Sequence, residues 1–150
     1  MTPTKINLNI VSQRAAWIKE MIEALQDLPI KNKQKFLSNK HTIAAAESYL
    51  RRSLEALFDI GRHILARKFE APVTEYKEIA QSLLKRKILQ KKEADTLRQM
   101  AGHRNRMVHF YHEISDEELQ EICAYHLEDI KTLLNTLLEW VRKDTKNSDI

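Results

Sequence analysis

The sequence predicts an all-α protein, a bundle of about five helices, and three observations carry that expectation. The 150 residues include only two glycines and three prolines, which leaves little turn-forming material. Leu, Ile, Ala, Glu, Lys and Arg dominate, a helix-forming composition. Apolar residues recur at three- and four-residue spacing along five stretches, and no segment suggests a strand.

The first helix is expected over about Asn7 to Asp27, with Ile10, Trp17, Met21, Leu25 and Leu28 near helical spacing, and Pro29 stops it. Residues 29–40 form a polar, basic connection in which Ser38 or Asn39 can cap the next helix. That second helix is long, about His41 to Phe69. Its apolar stripe is broad (Ile43, Ala46, Leu50, Leu54, Leu57, Phe58, Ile64 and Leu65), which implies burial on more than one side. Gly61 inside it costs up to about 1 kcal/mol of helix stability relative to Ala, so a close helix–helix contact or a bend is expected there. Asp59 and His63 lie one turn apart and suit a helix-surface pair. Glu70 to Thr74 breaks the helix, and Thr74 is placed to cap a third, about Glu75 to Arg86. The fourth runs from about Lys91 to His109 with Ala94, Leu97, Met100 and Val108 inward. Ser115-Asp-Glu-Glu118 has the form of a capping box and opens a fifth, reaching about Lys143. Residues 144–150 are expected to be a disordered tail.

The length suits one domain, 1–150, with a core of about 5–142. No apolar run approaches the roughly 20 residues of a membrane span, and the N-terminus lacks the apolar core of a signal peptide. A cytoplasmic, non-membrane protein is expected. Cys123 is the single cysteine; an internal disulfide is excluded, and its helical setting suits a small buried thiol rather than a nucleophile.

Net charge is +4, but its distribution says more. Residues 31–106 carry 18 Lys and Arg against 8 Asp and Glu, whereas residues 107–150 carry 4 against 10. The middle of the chain is a candidate surface for a polyanion. Single clusters such as Lys85-Arg86-Lys87 or Lys91-Lys92 equally suit a solvated helix face.

The chemistry concentrates in Arg104-Asn105-Arg106-Met107-Val108-His109-Phe110-Tyr111. On a helix, Asn105 and Arg106 both fall near the face of His109, so the imidazole can be oriented by Asn105 or placed beside Arg106. Arg104 sits roughly 140° round the axis and about 7.5 Å along it from His109, so its long side chain must do the reaching. Histidine takes and returns protons near neutral pH, and arginine matches the planar fork of two phosphate oxygens. Together they suit attack of a ribose 2′-hydroxyl on the adjacent phosphate, with His109 as base or acid and Arg104 neutralising developing charge. That chemistry requires no metal or cofactor. His103, His109 and His112 also have chelating spacing, but no HExxH, paired cysteine or carboxylate cluster accompanies them. The bland alternative makes Arg104, Arg106 and His109 ordinary surface cations, with Tyr111 packed on the core.

Arg104, four residues, His109, one residue, Tyr111 resembles the R-x4-H-x-Y signature of HEPN-domain ribonucleases, in particular the HepT-like toxins of prokaryotic toxin–antitoxin pairs. The likeness extends to Ala56–Leu65 and to the helix start at Pro72…Tyr76, and covers roughly residues 5–142. The resemblance implies a HEPN-like helical fold and a metal-independent endoribonuclease that acts on transfer RNA or messenger RNA. It also implies a homodimer whose two motifs face one another, supplying a second imidazole. It further implies neutralisation by an MNT-type nucleotidyltransferase antitoxin, with Tyr111 as the acceptor of AMP. In that setting Arg104 and His109 are catalytic, Asn105 and Arg106 supporting, and Asp59 and His63 second-tier candidates for support. The alternative is a non-catalytic helical module that binds a nucleotide or docks a nucleotidyltransferase.

Overall fold

The computed structural model describes residues 5–109 and 114–148, and these form helices with no strand among them. Seven helices are present among the described residues: α1 Leu8–Gln26, α2 Lys33–Leu37, α3 Lys40–Phe69, α4 Tyr76–Lys85, α5 Lys91–Val108, α6 Asp116–Tyr125 and α7 Leu127–Ser148. The all-α expectation holds, with two more helices than the five expected.

The thirty-residue α3 is the axis of the bundle, about 45 Å long. It packs against each of the other six helices, which is why its buried positions spread from Ala46 through Leu50, Leu54, Phe58 and Leu65 over more than one face. Asn39 caps it, its side-chain oxygen accepting the backbone N–H groups of His41 and Thr42. Gly61 marks a close approach: a Cβ there would stand 3.1 Å from both Ile79 Cγ2 and Leu83 Cδ1 of α4. α3 ends where Glu70 turns left-handed (φ 51°) and hands its N–H to Leu65.

α1 lies along α3 and begins at Asn7, whose side chain accepts from Asn9 and Ile10. Its inward residues are Ile18, Met21, Ile22 and Leu25, while Trp17 is 38% exposed. The polar, basic connection expected over 29–40 contains α2. Asn32 accepts the Lys35 N–H, and one turn of helix delivers Phe36 to the core with no exposed surface. A five-residue helix offers one apolar anchor and no period to detect.

Thr74 does not cap α4. Its carbonyl instead accepts from Arg62 Nη2 at 2.9 Å, and the capping position is Glu75, which makes no side-chain cap bond. α5 starts with Glu93 bonded back to the Gln90 N–H and buries Met107 where Val108 was expected, Val108 being 45% exposed. Ser115 caps α6 by accepting the Glu118 N–H, but the capping box is half formed because the Glu118 carboxylate turns to Arg106. The single helix expected over 115–143 is broken at His126, whose ring meets Asp129 in the first turn of α7. The break lets Ile122 and Cys123 on α6, and Ile130, Leu134 and Leu137 on α7, all enter one core cluster. It also lets buried Gln120 donate to the Ile30 carbonyl at 2.7 Å. The tail expected from 144 onward is helical to Ser148, tied back by an Asp144–Lys68 pair at 3.0 Å. Among the described residues no helix is long and apolar enough to cross a membrane.

Candidate functional site

α3 presents Glu55, Phe58, Asp59 and Arg62 at i, i+3, i+4 and i+7, one face of one helix. That face looks towards the start of α4 and the C-terminal end of α5, and the three elements together build the surroundings of Arg104. Phe58 is fully buried and stacks on Tyr76 with ring centroids 4.6 Å apart and planes 2° from parallel. Tyr76 is the first residue of α4, so the close α3–α4 approach at Gly61 and the stacked pair belong to one contact.

The Arg104 guanidinium lies over the Tyr76 ring at 4.5 Å from its centroid. Glu55 fixes its orientation, one carboxylate oxygen accepting from Nε at 3.2 Å and from Nη2 at 2.8 Å. Nη1 donates to the Asn105 side-chain oxygen at 3.4 Å. Arginine has five N–H donors in a rigid fork, so among the described residues one N–H on each terminal nitrogen has no partner. Beside them opens a groove of about 660 Å³, lined by Arg62, Thr74, Tyr76, Lys77, Arg104 and Asn105 together with Glu75.

The second groove arginine is held as firmly. Arg62 donates from Nε to the Val73 carbonyl at 3.1 Å and from Nη2 to that of Thr74, and its Cζ sits 5.5 Å from the same Tyr76 centroid. Each carboxylate on this face is shared by two guanidiniums: Glu55 by Arg51 and Arg104, Asp59 by Arg14 and Arg62. The groove lining itself carries three cations, Arg62, Lys77 and Arg104, against the single carboxylate of Glu75.

The other motif residues divide between directions. Arg106 points to α6, where it forms a two-pronged pair with Glu118. The hydrogen bond from Arg106 holds the Glu118 carboxyl below its usual range. Asn105 gives its amide oxygen to Arg104 and lines the groove. His109 caps α5, its backbone already extended (φ −69°, ψ 138°) and its side chain exposed. Arg104 and His109 thus share one helix end, the first on the groove wall and the second at the tip. Tyr111 and His112 lie outside the described residues.

Asp59 and His63 do not form the expected surface pair. Asp59 takes Arg14 and Arg62, which makes it a support of the groove. His63 Nε2 accepts the Asn7 N–H at 3.0 Å and so anchors the start of α1. Desolvation, with Arg67 adding to it, lowers the His63 pKa. His103 is half-buried, and desolvation is the main cause of its lowered pKa; Glu118 opposes this while Arg106 and His126 add to it. Cys123 is buried, and desolvation pushes its thiol up to about 12, which leaves no thiolate for nucleophilic chemistry at neutral pH. Sequence reasoning missed Glu55, placed Phe58 only in the apolar stripe, and gave no role to Arg62 or Tyr76. The signal for Glu55, Phe58 and Arg62 was their i, i+3, i+7 spacing on a helix already recognised as buried on several sides; Tyr76 stands on α4 and shares none of that spacing.

A family model described as ribonuclease HepT-like matches residues 18–137. No curated protein sequence matches. Among solved structures, the chain is similar to a tri-AMPylated HEPN toxin of Shewanella oneidensis in complex with an MNT antitoxin. The TM-score is 0.78 at 23% identity, over 87% of this chain and 97% of that one. It is likewise similar to a toxin–antitoxin complex with AMP-PNP, with TM-score 0.76, 22% identity, and 85% and 97% of the two chains covered. A third similar structure is the cytosolic protein YutE of Bacillus subtilis, with TM-score 0.77 at 14% identity and 94% of each chain covered.

Proposed function

Since this chain belongs to the ribonuclease HepT-like family, we propose that it is the toxin of a toxin–antitoxin pair, a metal-independent endoribonuclease of the cytoplasm. The observation that carries this reading is the fixing of Arg104: a guanidinium clamped by Glu55, seated over Tyr76, and lining an open groove in which three cations accompany one carboxylate. A cation preorganised in this way binds a phosphate without first ordering its own side chain.

In this mechanism Arg104 holds the non-bridging oxygens of the scissile phosphate. His109 removes the proton of the neighbouring 2′-hydroxyl as that oxygen bonds to phosphorus. The bond from phosphorus to the 5′-oxygen breaks, and the leaving oxygen takes a proton from a second imidazole. The products are a 2′,3′-cyclic phosphate and a 5′-hydroxyl, so atoms and protons balance without a metal. The second imidazole comes from a second copy of the chain, with the two exposed α5 ends facing one another. His109 is the cap of its helix, exposed rather than packed into its own bundle, which suits that arrangement. Asn105 supports the site through Arg104, and Arg106 by tying the end of α5 to α6. The RNA, transfer or messenger, crosses the basic span of residues 31–106.

The structural neighbours support an MNT-type nucleotidyltransferase as the partner, because two of them are toxin–antitoxin complexes and one toxin carries AMP. Tyr111, two residues after His109, is the acceptor in this proposal. AMP groups there bring phosphates to Arg104 and His109 and occupy the place of the RNA.

Incubating the purified protein with RNA in EDTA tests the nuclease. Cleavage by wild type that disappears in His109→Ala and in Arg104→Ala, with the fold intact by circular dichroism, is the expected result. Cleavage that persists in His109→Ala refutes it. For the partner, co-expression with the neighbouring gene product and intact-mass measurement should show AMP-sized additions that vanish in Tyr111→Phe.

A further inference from the structure

We infer that Arg62 and Lys77 form a second phosphate-binding subsite in the Arg104 groove, which grips the RNA backbone next to the phosphate that is cleaved. The inference rests on the nuclease reading for the identity of the ligand, and on the geometry of the groove for its place.

Arg62 and Arg104 lie against the same ring, their Cζ atoms 5.5 and 4.5 Å from the Tyr76 centroid. Arg62 ties down the α3–α4 connection through the Val73 and Thr74 carbonyls, and it thereby brings a second cation to the aromatic ring that already carries Arg104. Both belong to a groove that also takes Lys77, an exposed cation with no ionic partner among the described residues, against one acidic lining residue, Glu75. The arginines are preorganised through different anchors. Arg104 is held by a carboxylate, whereas Arg62 is held chiefly by the Val73 and Thr74 carbonyls, which carry no charge to cancel its own. Its remaining partner, Asp59, is divided with Arg14.

An RNA strand is a regular row of anions. A groove with one fixed guanidinium binds one of them; a groove lined by two fixed guanidiniums and a flexible ammonium offers cations to more than one and thereby holds the strand in register. Lys77 adds charge without geometry, as a point charge on a mobile stem does. The subsite therefore acts on affinity and register, while Arg104 acts on the reacting phosphate.

Binding of a short single-stranded oligoribonucleotide is followed by fluorescence anisotropy across a potassium chloride series, in the His109→Ala background so that the probe is not cut. Single-strand binding loses about 0.7 in the log–log salt slope for each phosphate contact removed. Lys77→Gln is expected to lower the slope by that amount, and Arg62→Gln by at least as much. In the cleaving protein the loss falls on KM more than on kcat. It is larger for substrates with a phosphate beyond the cleaved one than for a dinucleoside monophosphate. An unchanged slope and unchanged KM in Lys77→Gln overturn the inference. Arg62→Gln also releases two backbone carbonyls, so Lys77, which has no bonded partner among the described residues, is the decisive variant. If wild type cuts no RNA but Lys77→Gln still lowers the slope, the nuclease reading falls and the phosphate subsite stands.

Discussion

Replacing Arg104 by lysine separates charge from geometry. The substitution keeps one positive charge at the same place on α5 but removes the planar fork. In the native arrangement Nε and Nη2 together take one Glu55 oxygen, Nη1 takes Asn105, and Cζ lies 4.5 Å from the Tyr76 centroid. A lysine ammonium can satisfy Glu55, but it has no rigid plane through which Glu55 and Asn105 together fix the direction of its remaining N–H groups. A hydrogen bond to a charged group contributes about 1.5–3 kcal/mol, and the stacked cation adds about 0.5–1 kcal/mol. Losing both from the transition state raises the barrier by about 2–4 kcal/mol, a roughly 30- to 700-fold fall in kcat at about 1.4 kcal/mol per tenfold. The assay is single-turnover cleavage of a labelled RNA in EDTA, with chemical denaturation run alongside to show that the fold survives. If Arg104→Lys cleaves within threefold of wild type, a point charge suffices, and the clamp formed by Glu55 and Tyr76 has no part in catalysis.

The packing leads to two more expected outcomes. Gly61→Val adds three carbons where even the first would stand 3.1 Å from Ile79 and Leu83, so urea denaturation should show a loss of about 1–3 kcal/mol; an unchanged midpoint would mean that α4 shifts freely on α3. His63 accepts the Asn7 N–H through Nε2 and has its pKa lowered by desolvation. The unfolded chain therefore takes up that proton first, and the stability contributed by neutral His63 is complete above its usual value of about 6.5. It is lost as pH falls through the lowered folded value. The melting temperature of wild type should fall further between pH 8 and pH 5 than that of His63→Gln, and parallel curves would remove His63 from the anchoring of α1.

Much of this fold was legible because most of its helices announce themselves locally. The ends of α3 and α5 fall within a residue of where the apolar stripes and breakers put them, and Gly61 marks the close contact that its presence inside a long helix suggested. What escaped was set by tertiary packing. α2 exists to bury Phe36, and the break at His126 serves the core on both sides of it, yet neither carries a glycine or proline to mark the place. The half-formed box at Ser115 shows the same competition: Glu118 suits a local cap, and a guanidinium twelve residues away wins it.

The candidate site divides along the same line, and the division bears on how its charge should be counted. The run from Arg104 to His109 is visible because its members are neighbours in sequence. The shelf under Arg104 is not, since Glu55, Phe58 and Tyr76 come from two other helices and are ordinary residues until α3, α4 and α5 meet. Counting charges along residues 31–106 treats Glu55 and Asp59 as subtractions from a basic surface. In the folded chain they are holders: each divides its charge between two arginines and leaves the groove positive while removing the freedom of the guanidiniums that line it. A basic surface made of unattached lysines attracts RNA but must order its own side chains on binding. Here that ordering is done by the fold, so binding energy is left for the phosphate.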